Sequence, residues 1–264
     1  MSLGLKISGK CAGVYKTCHQ CAVMSERKNV FSFRQFDVCQ THTAMKVGTD
    51  SDLLGALAPG GSRVLDVGTG TGVLSLMMAQ RFEKAQIVAV EIDEGAVLDA
   101  TFNFKSSPWA DRLTLVHDSF EHFAEANRGK QLFDAVVCNP PYFENALECD
   151  DPGRRRARHA SSLSFGALVE GVSRLLTPDG LFTVILPAEA RASFDSECVV
   201  RGLWLRRRVE IHTVAHKPAK RVVSVYSPRR IETPQIENRC LRDADNGCSL
   251  WYRELMSDFL LRIS

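Results

Sequence analysis

The feature that most constrains the fold is a regular alternation, from Ser62 onward, of short apolar runs typical of strands and longer amphipathic runs typical of helices. Strands separated by helical crossovers form a parallel sheet that is covered on both faces. We therefore predict a doubly wound α/β fold with a mostly parallel, seven-stranded sheet and an antiparallel strand at one edge. The predicted strands are residues 63–68, 86–93, 113–118, 133–138, 181–187, 203–214 and 221–228.

The residues before this pattern are organised differently. Residues 31–40 alternate as the strands of a hairpin do, and residues 44–57 end in a short apolar helix. Residues 1–28 show no period, and Met24 is a candidate internal start. The predicted divisions are an appendage of unknown role (1–28), an N-terminal hairpin with a covering segment (29–58) and a main domain (59–264).

The composition favours a cytoplasmic protein with reduced thiols. The 264 residues include nine cysteines without even spacing. No apolar run approaches the ~18 residues needed to cross a membrane, and the first ten residues lack the apolar stretch of a signal peptide. One C-x-x-C pair lies near the N-terminus without the second pair of a zinc site, so we expect no metal. Its neighbourhood contains Cys11, Cys18, His19 and Cys21.

The first predicted strand runs into a glycine-rich turn, VLDVGTGTG. Gly68, Gly70 and Gly72 allow the backbone to approach a ligand closely. Asp66, at the strand end, can orient the turn or meet a cationic ligand group. The spacing differs from the G-x-G-x-x-G of dinucleotide enzymes and lacks the G-K-[ST] of triphosphate sites. The turn therefore predicts a different cofactor.

Acidic residues end the next two predicted strands. Glu91 stands where a carboxylate can accept both hydroxyls of a ribose. Asp118 stands where a carboxylate suits the amino group of an adenine. The alternatives are a charged residue that only caps a buried strand, for Glu91, and a helix N-cap, for Asp118. With the glycine turn, the two acids indicate an adenosine-containing cofactor.

The fourth predicted strand ends in NPPYF, where open α/β sheets bind their ligands. Neither proline has an N–H to donate, so strand pairing stops at Asn139. The motif leaves the amide of Asn139, two carbonyls and the aromatic ring of Tyr142 at the carboxyl end of the strand. The alternative is a proline turn without function.

This constellation resembles the class I, Rossmann-like S-adenosylmethionine-dependent methyltransferases, and NPPY is typical of their amino-methylating branch. Residues 33–56 (FRQFDVCQTHTAMKVGTDSDLLGA), 107–112 (SPWADR) and 154–158 (RRRAR) further resemble the bacterial tRNA1(Val) (adenine-37) 6-amino methyltransferase family. The resemblance runs from about Phe31 to the C-terminus. It implies S-adenosylmethionine as methyl donor and the 6-amino group of adenine 37 in a valine tRNA as acceptor. The Asn139 side-chain carbonyl and the Pro140 backbone carbonyl would then accept the two amine hydrogens and turn the nitrogen lone pair toward the sulfonium methyl. Tyr142 would stack on the flipped-out base, with Pro141 and Phe143 beside it.

The resemblance also implies a segment that folds over the methionine end of the cofactor. Its members are Lys46, Gly48, Thr49 and Asp50. Ser51 and Asp52 depart from the glycine and hydrophobic residue that the family has at these positions, which bears on the geometry of the local helix.

The net charge of +2 conceals a basic segment. Residues 151–230 hold 15 Lys/Arg against 7 Asp/Glu, which suits a polyanion such as tRNA, although a solvated surface has the same composition. The predicted phosphate contacts nearest the active loop are Arg154, Arg155, Arg156 and Arg158. Candidate outer contacts are Arg206–Arg208, Lys217, Lys220 and Arg221.

Alternatives stay open within and outside the enzyme class. NPPY chemistry also methylates guanine 2-amino groups in ribosomal RNA and a glutamine amide in release factors. Enzymes that methylate DNA adenine use it too, usually with a target-recognition domain for which this chain is short. A tRNA-binding protein with a vestigial cofactor site is the alternative from another class. We expect a monomer that does not bind a membrane.

Overall fold

The computed structural model of the chain describes residues 29–140 and 163–262. Within them the strands are β1 (Val30–Ser32), β2 (Asp37–Cys39), β3 (Arg63–Val67), β4 (Gln86–Glu91), β5 (Leu113–His117), β6 (Phe133–Cys138), β7 (Leu176–Pro187), β8 (Trp204–His212), β9 (Ala219–Ser227) and β10 (Gln235–Cys240). The helices are α1 (Thr49–Leu57), α2 (Val73–Arg81), α3 (Glu94–Ser106), α4 (Phe120–Ala126), α5 (Phe165–Leu175), α6 (Arg191–Val200) and α7 (Leu250–Met256).

Strands β3 to β10 form one sheet in the order β10-β8-β9-β7-β6-β3-β4-β5, and β1 pairs antiparallel with β2. Neighbours in the large sheet are parallel except at β9, which runs antiparallel to β7 and to β8. The predicted doubly wound, mostly parallel α/β fold is confirmed. The N-terminal hairpin and the antiparallel pair of β8 and β9 are confirmed with it.

Two details of the predicted sheet are wrong. The sheet has eight strands, because β10 adds to β8 in parallel. β10 is a polar, largely exposed edge strand, QIENRC, and carries no apolar alternation that would identify it. The antiparallel strand β9 lies inside the sheet and not at its edge. The reason is burial, since six consecutive residues of β9 are buried whereas β8 is mostly half-exposed.

The predicted C-terminal helix is shorter than its amphipathic pattern. α7 ends at Met256, and the chain then turns back to the N-terminal hairpin. The Phe259 carbonyl accepts a hydrogen bond from Arg34 N–H at 2.7 Å, and Leu260 bridges to Phe33. The hairpin and the chain terminus therefore stabilise one another on the same side of the sheet.

Apolar clusters cover both faces of the sheet. On one face, residues of α4, α5 and α6 pack around Phe133, Phe182 and Phe194. On the other face, α1, α2 and α7 pack on the opposite side chains of the same strands. β3 and β6 are buried on both faces, as expected of central parallel strands. The carboxyl ends of β3 to β7 consequently meet along one edge of the sheet, called the carboxyl edge below.

Candidate active site

The glycine turn between β3 and α2 is a tight left-handed turn. Gly68, Gly70 and Gly72 have φ angles of 67°, 58° and 83°. A Cβ at Gly72 would lie 2.4 Å from the Phe104 ring, whereas nothing lies within 4 Å of a Cβ built at Gly68 or Gly70. Gly72 is thus required by close packing inside the protein. Gly68 and Gly70 face open space on the carboxyl edge, where the backbone is accessible to a ligand.

Asp66 holds this turn from behind. Its Oδ2 accepts hydrogen bonds from Thr69 Oγ1 at 2.5 Å, Ser75 Oγ at 2.7 Å and Ser75 N–H at 3.1 Å. Its Oδ1 is buried and has no partner. Burial raises the pKa of the carboxyl to about 6, although the hydrogen bonds from Thr69 and Ser75 oppose the shift. These contacts match one of the two roles predicted for Asp66, which is to orient the turn.

Glu91 joins the glycine turn to the end of β4. Its Oε2 accepts a hydrogen bond from Gly70 N–H at 2.8 Å, and its Oε1 accepts from Ile92 N–H and Asp93 N–H, both at 2.9 Å. The side chain is 8% exposed. Of the roughly four acceptor sites of a carboxylate, these bonds use both on Oε1 and one on Oε2. Glu91 therefore fixes the turn while one acceptor site on Oε2 stays available at the carboxyl edge.

Asp118 lies beside Glu91 at the end of β5. Its backbone N–H donates to the Glu91 carbonyl at 3.0 Å, and its carboxylate accepts from Ser119 N–H and pairs with His122 Nδ1 at 2.5 Å. The hydrogen bond with His122 is the main reason that the pKa of the Asp118 carboxyl is lowered. Ser119, not Asp118, caps helix α4.

Ile92 is an exposed apolar residue at the carboxyl edge that the sequence pattern did not single out. It follows Glu91 directly and is 64% exposed. A large apolar side chain exposed next to Glu91 at the carboxyl edge offers an apolar surface to an aromatic ring. Its position one residue after the strand-ending acid is the signal that could have identified it.

Buried polar side chains of α3 hold the covering segment in place. Asp99, 1% exposed, accepts hydrogen bonds from the backbone N–H groups of His42 and Thr43, both at 2.9 Å. One turn later, Asn103 bonds both the N–H and the carbonyl of Cys39 at 2.8 Å, and also donates to the Thr71 carbonyl at 2.8 Å. One helix therefore connects the hairpin with the glycine turn.

These elements enclose a cavity of about 380 Å³. One wall is the covering segment and the first turn of α1, and the other is the glycine turn with the start of α2. Asn139 lies between them at the end of β6 and is half-buried. The lining residues are Met45, Lys46, Val47, Gly48, Thr49, Asp50, Ser51, Gly68, Thr69, Gly70, Thr71, Val73, Leu74 and Asn139.

The cavity brings together most, but not all, of the predicted cofactor residues that the structure describes. Lys46, Gly48, Thr49, Asp50, Gly68, Gly70 and Asn139 line it. Asp66, Gly72, Glu91 and Asp118 do not; the first two lie behind the glycine turn, and the acids lie along the carboxyl edge beyond it. Pro140 is described and buried. The remaining predicted residues, Pro141, Tyr142, Phe143, Arg154, Arg155, Arg156 and Arg158, lie outside the described residues.

Other chemical features of the described residues are simple. Residues 29–140 and 163–262 contain no group of three or more His, Cys, Asp or Glu arranged to hold a metal ion. None of the helices in these two ranges has the length and apolarity that crossing a membrane requires. Cys138, next to Asn139, is 2% exposed, and burial raises the pKa of its thiol well above the usual range. It is therefore not a nucleophile.

Comparison with known proteins finds a family model and named relatives that match most of this chain. The model of the family described as "Methyltransferase small domain" matches residues 22–186. A protein of Tolumonas auensis named "tRNA1(Val) (adenine(37)-N6)-methyltransferase" is 39% identical over 237 residues, which cover 89% of this chain and 98% of that protein. A protein of Phocaeicola vulgatus with the same name is 44% identical over 198 residues, covering 74% of this chain and 82% of that protein.

A solved structure supports the fold assignment independently. The crystal structure of "a predicted O-methyltransferase" from Agrobacterium tumefaciens superposes with a TM-score of 0.61 at 18% identity, covering 80% of this chain and 96% of that chain. At this identity the likeness concerns the fold alone.

Proposed function

Because the chain belongs to the tRNA1(Val) (adenine(37)-N6)-methyltransferase family, we propose that it methylates the 6-amino group of adenine 37 in a valine tRNA. The observation that carries the proposal is the position of Asn139, which shares one cavity with the glycine turn and the covering segment. We further propose that the protein acts in the cytoplasm as a monomer.

The residues around the cavity fit S-adenosylmethionine. A volume of about 380 Å³ is within the range of small-molecule sites. The open space at Gly68 and Gly70 leaves their backbone exposed to the ligand. Glu91 would hold the ribose hydroxyls, Asp118 the adenine amino group and Ile92 the face of the adenine ring. Lys46, Gly48, Thr49 and Asp50 would cover the methionine end. When bound, S-adenosylmethionine supplies an electrophilic methyl group on a sulfonium.

The chain's own contribution to transfer is positioning and electrostatics. The lone pair of the adenine amine is delocalised into the ring. The Asn139 side-chain carbonyl and the Pro140 backbone carbonyl would accept the two amine hydrogens and turn the lone pair out of the ring plane. These bonds strengthen as the nitrogen becomes positive, so they favour the transition state over the bound substrate. No strong base is needed, because the methylated ammonium loses its proton readily.

The segment after Asn139 would bind the substrate base. We propose that Tyr142 stacks on the extruded adenine, with Pro141 and Phe143 beside it. Flipping a base out of an anticodon loop costs little, because such a base is already partly unpaired. The arginines that follow, Arg154, Arg155, Arg156 and Arg158, would contact phosphates.

An acceptor assay tests the proposal. Purified protein is incubated with methyl-labelled S-adenosylmethionine and, separately, with total tRNA, ribosomal RNA, DNA and release factor. We expect label only in tRNA, and nucleoside mass spectrometry should identify it as N6-methyladenosine. A valine tRNA transcript with guanine at position 37 is the matched control and should accept no label. Label in ribosomal RNA or release factor, or equal labelling of the control transcript, would refute the proposed substrate.

A further inference from the structure

The carboxyl edge is divided by charge. On the side of β3, β4 and β5 the strand-end groups are acidic, namely Asp66, Glu91 and Asp118. On the side of β9 and β8, residues 212–221, called the basic turn below, carry His212, His216, Lys217, Lys220 and Arg221. No Asp or Glu occurs between Ile211 and Ile231. The acidic side adjoins the cofactor cavity, so the basic side is left for an anionic partner.

The sheet register places the basic turn beyond the end of β6 and two strands to its side. Cys138 of β6 is aligned with Val184 of β7, but β7 continues to Pro187, which is aligned with Arg221 of β9. At about 3.3 Å per residue, β7 and β9 project roughly 10 Å beyond the end of β6. Two strand spacings separate β6 from β9, which is again about 10 Å. Together the two offsets put the start of β9 roughly 14 Å from the end of β6, so the basic turn lies at the rim of the site on the β9 side.

The lysines of the turn are presented to solvent on a fixed backbone. His212 Nδ1 bonds the Lys217 carbonyl at 2.7 Å, and Lys217 N–H donates to the Val214 carbonyl at 3.1 Å. His216, Lys217 and Lys220 are exposed. Lys217 and Lys220 form no ion pair with any residue of the described ranges. An anion would therefore meet lysine charges that no carboxylate neutralises. Because the backbone of the turn is already held in place, binding would not cost the entropy of ordering it.

The carboxylates on neighbouring elements are mostly neutralised. Asp50 pairs with Arg221 at 2.9 Å, Glu210 with Arg191 at 2.6 Å, and Glu237 with Arg207 at 2.7 Å. Glu189, in the turn after β7, is exposed without an ion-pair partner among the described residues. One unpaired carboxylate against two lysines leaves this rim positive. The Asp50–Arg221 pair also connects the rim to the cavity wall, because Asp50 lines the cavity.

From this geometry we infer that the basic turn, residues 212–221, is a docking surface for the tRNA phosphates that flank the target base. The inference rests on the proposed function, since it needs a nucleotide entering at Asn139. A base extruded into the site leaves its sugar-phosphate backbone at the rim, and Lys217 and Lys220 reach it there. Such contacts fix register and orientation without reading sequence.

The test measures the salt dependence of tRNA binding. The variant Lys217→Ala/Lys220→Ala should bind an unmodified valine tRNA transcript about tenfold or more weakly near 0.1 M salt. The slope of log affinity against log salt should fall by roughly 1.4–1.8, since each phosphate contact releases about 0.7–0.9 of a counterion. Lys217→Arg/Lys220→Arg keeps both charges and should retain affinity and slope. Cofactor affinity, measured by calorimetry, should be unchanged.

The matched control removes the same charge from the opposite edge of the sheet. Lys84 and Lys130, which precede β4 and β6, lie at the amino ends of the strands. Lys84→Ala/Lys130→Ala should leave affinity and slope as in the wild type. An unchanged slope in the Lys217/Lys220 variant, or an equal loss in the control, overturns the inference.

Methylation of valine tRNA by the wild-type protein is measured separately. If the wild type methylates tRNA but the slope is unchanged, only the docking surface is wrong. If the variants show the predicted salt slopes but the wild type transfers no methyl group to tRNA, the docking surface stands and the proposed function fails.

Discussion

The buried carboxyl of Asp52 should make the stability of this protein depend on pH in an unusual direction. Asp52 lies on α1, is 5% exposed, and its Oδ1 has no hydrogen-bond partner. Burial raises the pKa of the carboxyl to about 7, from an ordinary value of 3.8. The folded protein therefore binds this proton more tightly than the unfolded chain does. Asp52 therefore lowers the free energy of unfolding most at high pH, whereas a carboxylate in an ion pair raises it there.

The magnitude follows from the size of the shift. A shift of about three pKa units corresponds to roughly 4 kcal/mol over the full titration. The contribution is complete below the unfolded pKa near 4 and is lost as the pH rises toward 7. The N-terminus of α1 favours the ionised form by about 0.3–1 kcal/mol and offsets part of this. Between pH 5 and pH 8, Asp52 should therefore cost about 2 kcal/mol of the free energy of unfolding.

Urea denaturation of the wild type and of Asp52→Asn at pH 5 and pH 8 tests this reasoning. The amide cannot ionise, so the loss of unfolding free energy between the two pH values should be about 2 kcal/mol smaller in the variant. The buried carboxyl of Asp66 contributes in the same direction in both proteins and cancels. Asp179→Asn is the matched control, because Asp179 is 73% exposed in a surface pair with Arg229. If Asp52→Asn and the wild type show the same pH dependence, the ionised Asp52 carboxylate is solvated or paired and the argument fails.

Three further predictions concern the site. Glu91→Ala should lower S-adenosylmethionine affinity by more than tenfold in calorimetry, because its charge-assisted hydrogen bonding to the ribose is lost; unchanged affinity would show that another group holds the ribose. Asn139→Ala should fold and bind both substrates, yet its rate of single-turnover methyl transfer at saturating tRNA should fall about 10²-fold. Tyr142→Ala should instead lose roughly 1–3 kcal/mol of stacking free energy, which should appear partly as weaker tRNA binding. A wild-type rate in Asn139→Ala would mean that the NPP segment is only a structural turn. Asp99→Ala should lower the free energy of unfolding by about 2–4 kcal/mol, since it leaves the buried N–H of Thr43 and the partly buried N–H of His42 without an acceptor; equal denaturation midpoints would mean that water replaces the carboxylate.

The parts of the site that sequence alone identified are those encoded by short-range pattern. The fully buried runs of β3 and β6 mark central parallel strands, because a strand covered on both faces has no polar alternation. The three glycines between β3 and α2 and Pro140 after Asn139 each dictate a local backbone, and these positions lie where the pattern put them. Resemblance to a known family identified the covering segment, whose residues line the cavity, while their contact with a cofactor stays a prediction.

Tertiary structure alone decided the partners of these residues. The sequence left Asp66 either orienting the turn or meeting a ligand, and it assigned Glu91 to a ribose. In the structure both hold the glycine turn through bonds to Thr69, Ser75 and Gly70, and the ribose contact of Glu91 stays a prediction. The clamp of Asp99 on the covering segment joins residues 56 and 57 positions apart.

The same limit applies to the sheet. The polar strand β10 and the inward position of β9 depend on which apolar strand can be buried against β7, a choice made between elements and not within one. Local sequence encodes the period of burial and the backbone conformation of each element. The pairing of distant strands determines where the charges of the basic turn stand relative to Asn139, because register across the sheet, not order along the chain, sets that distance.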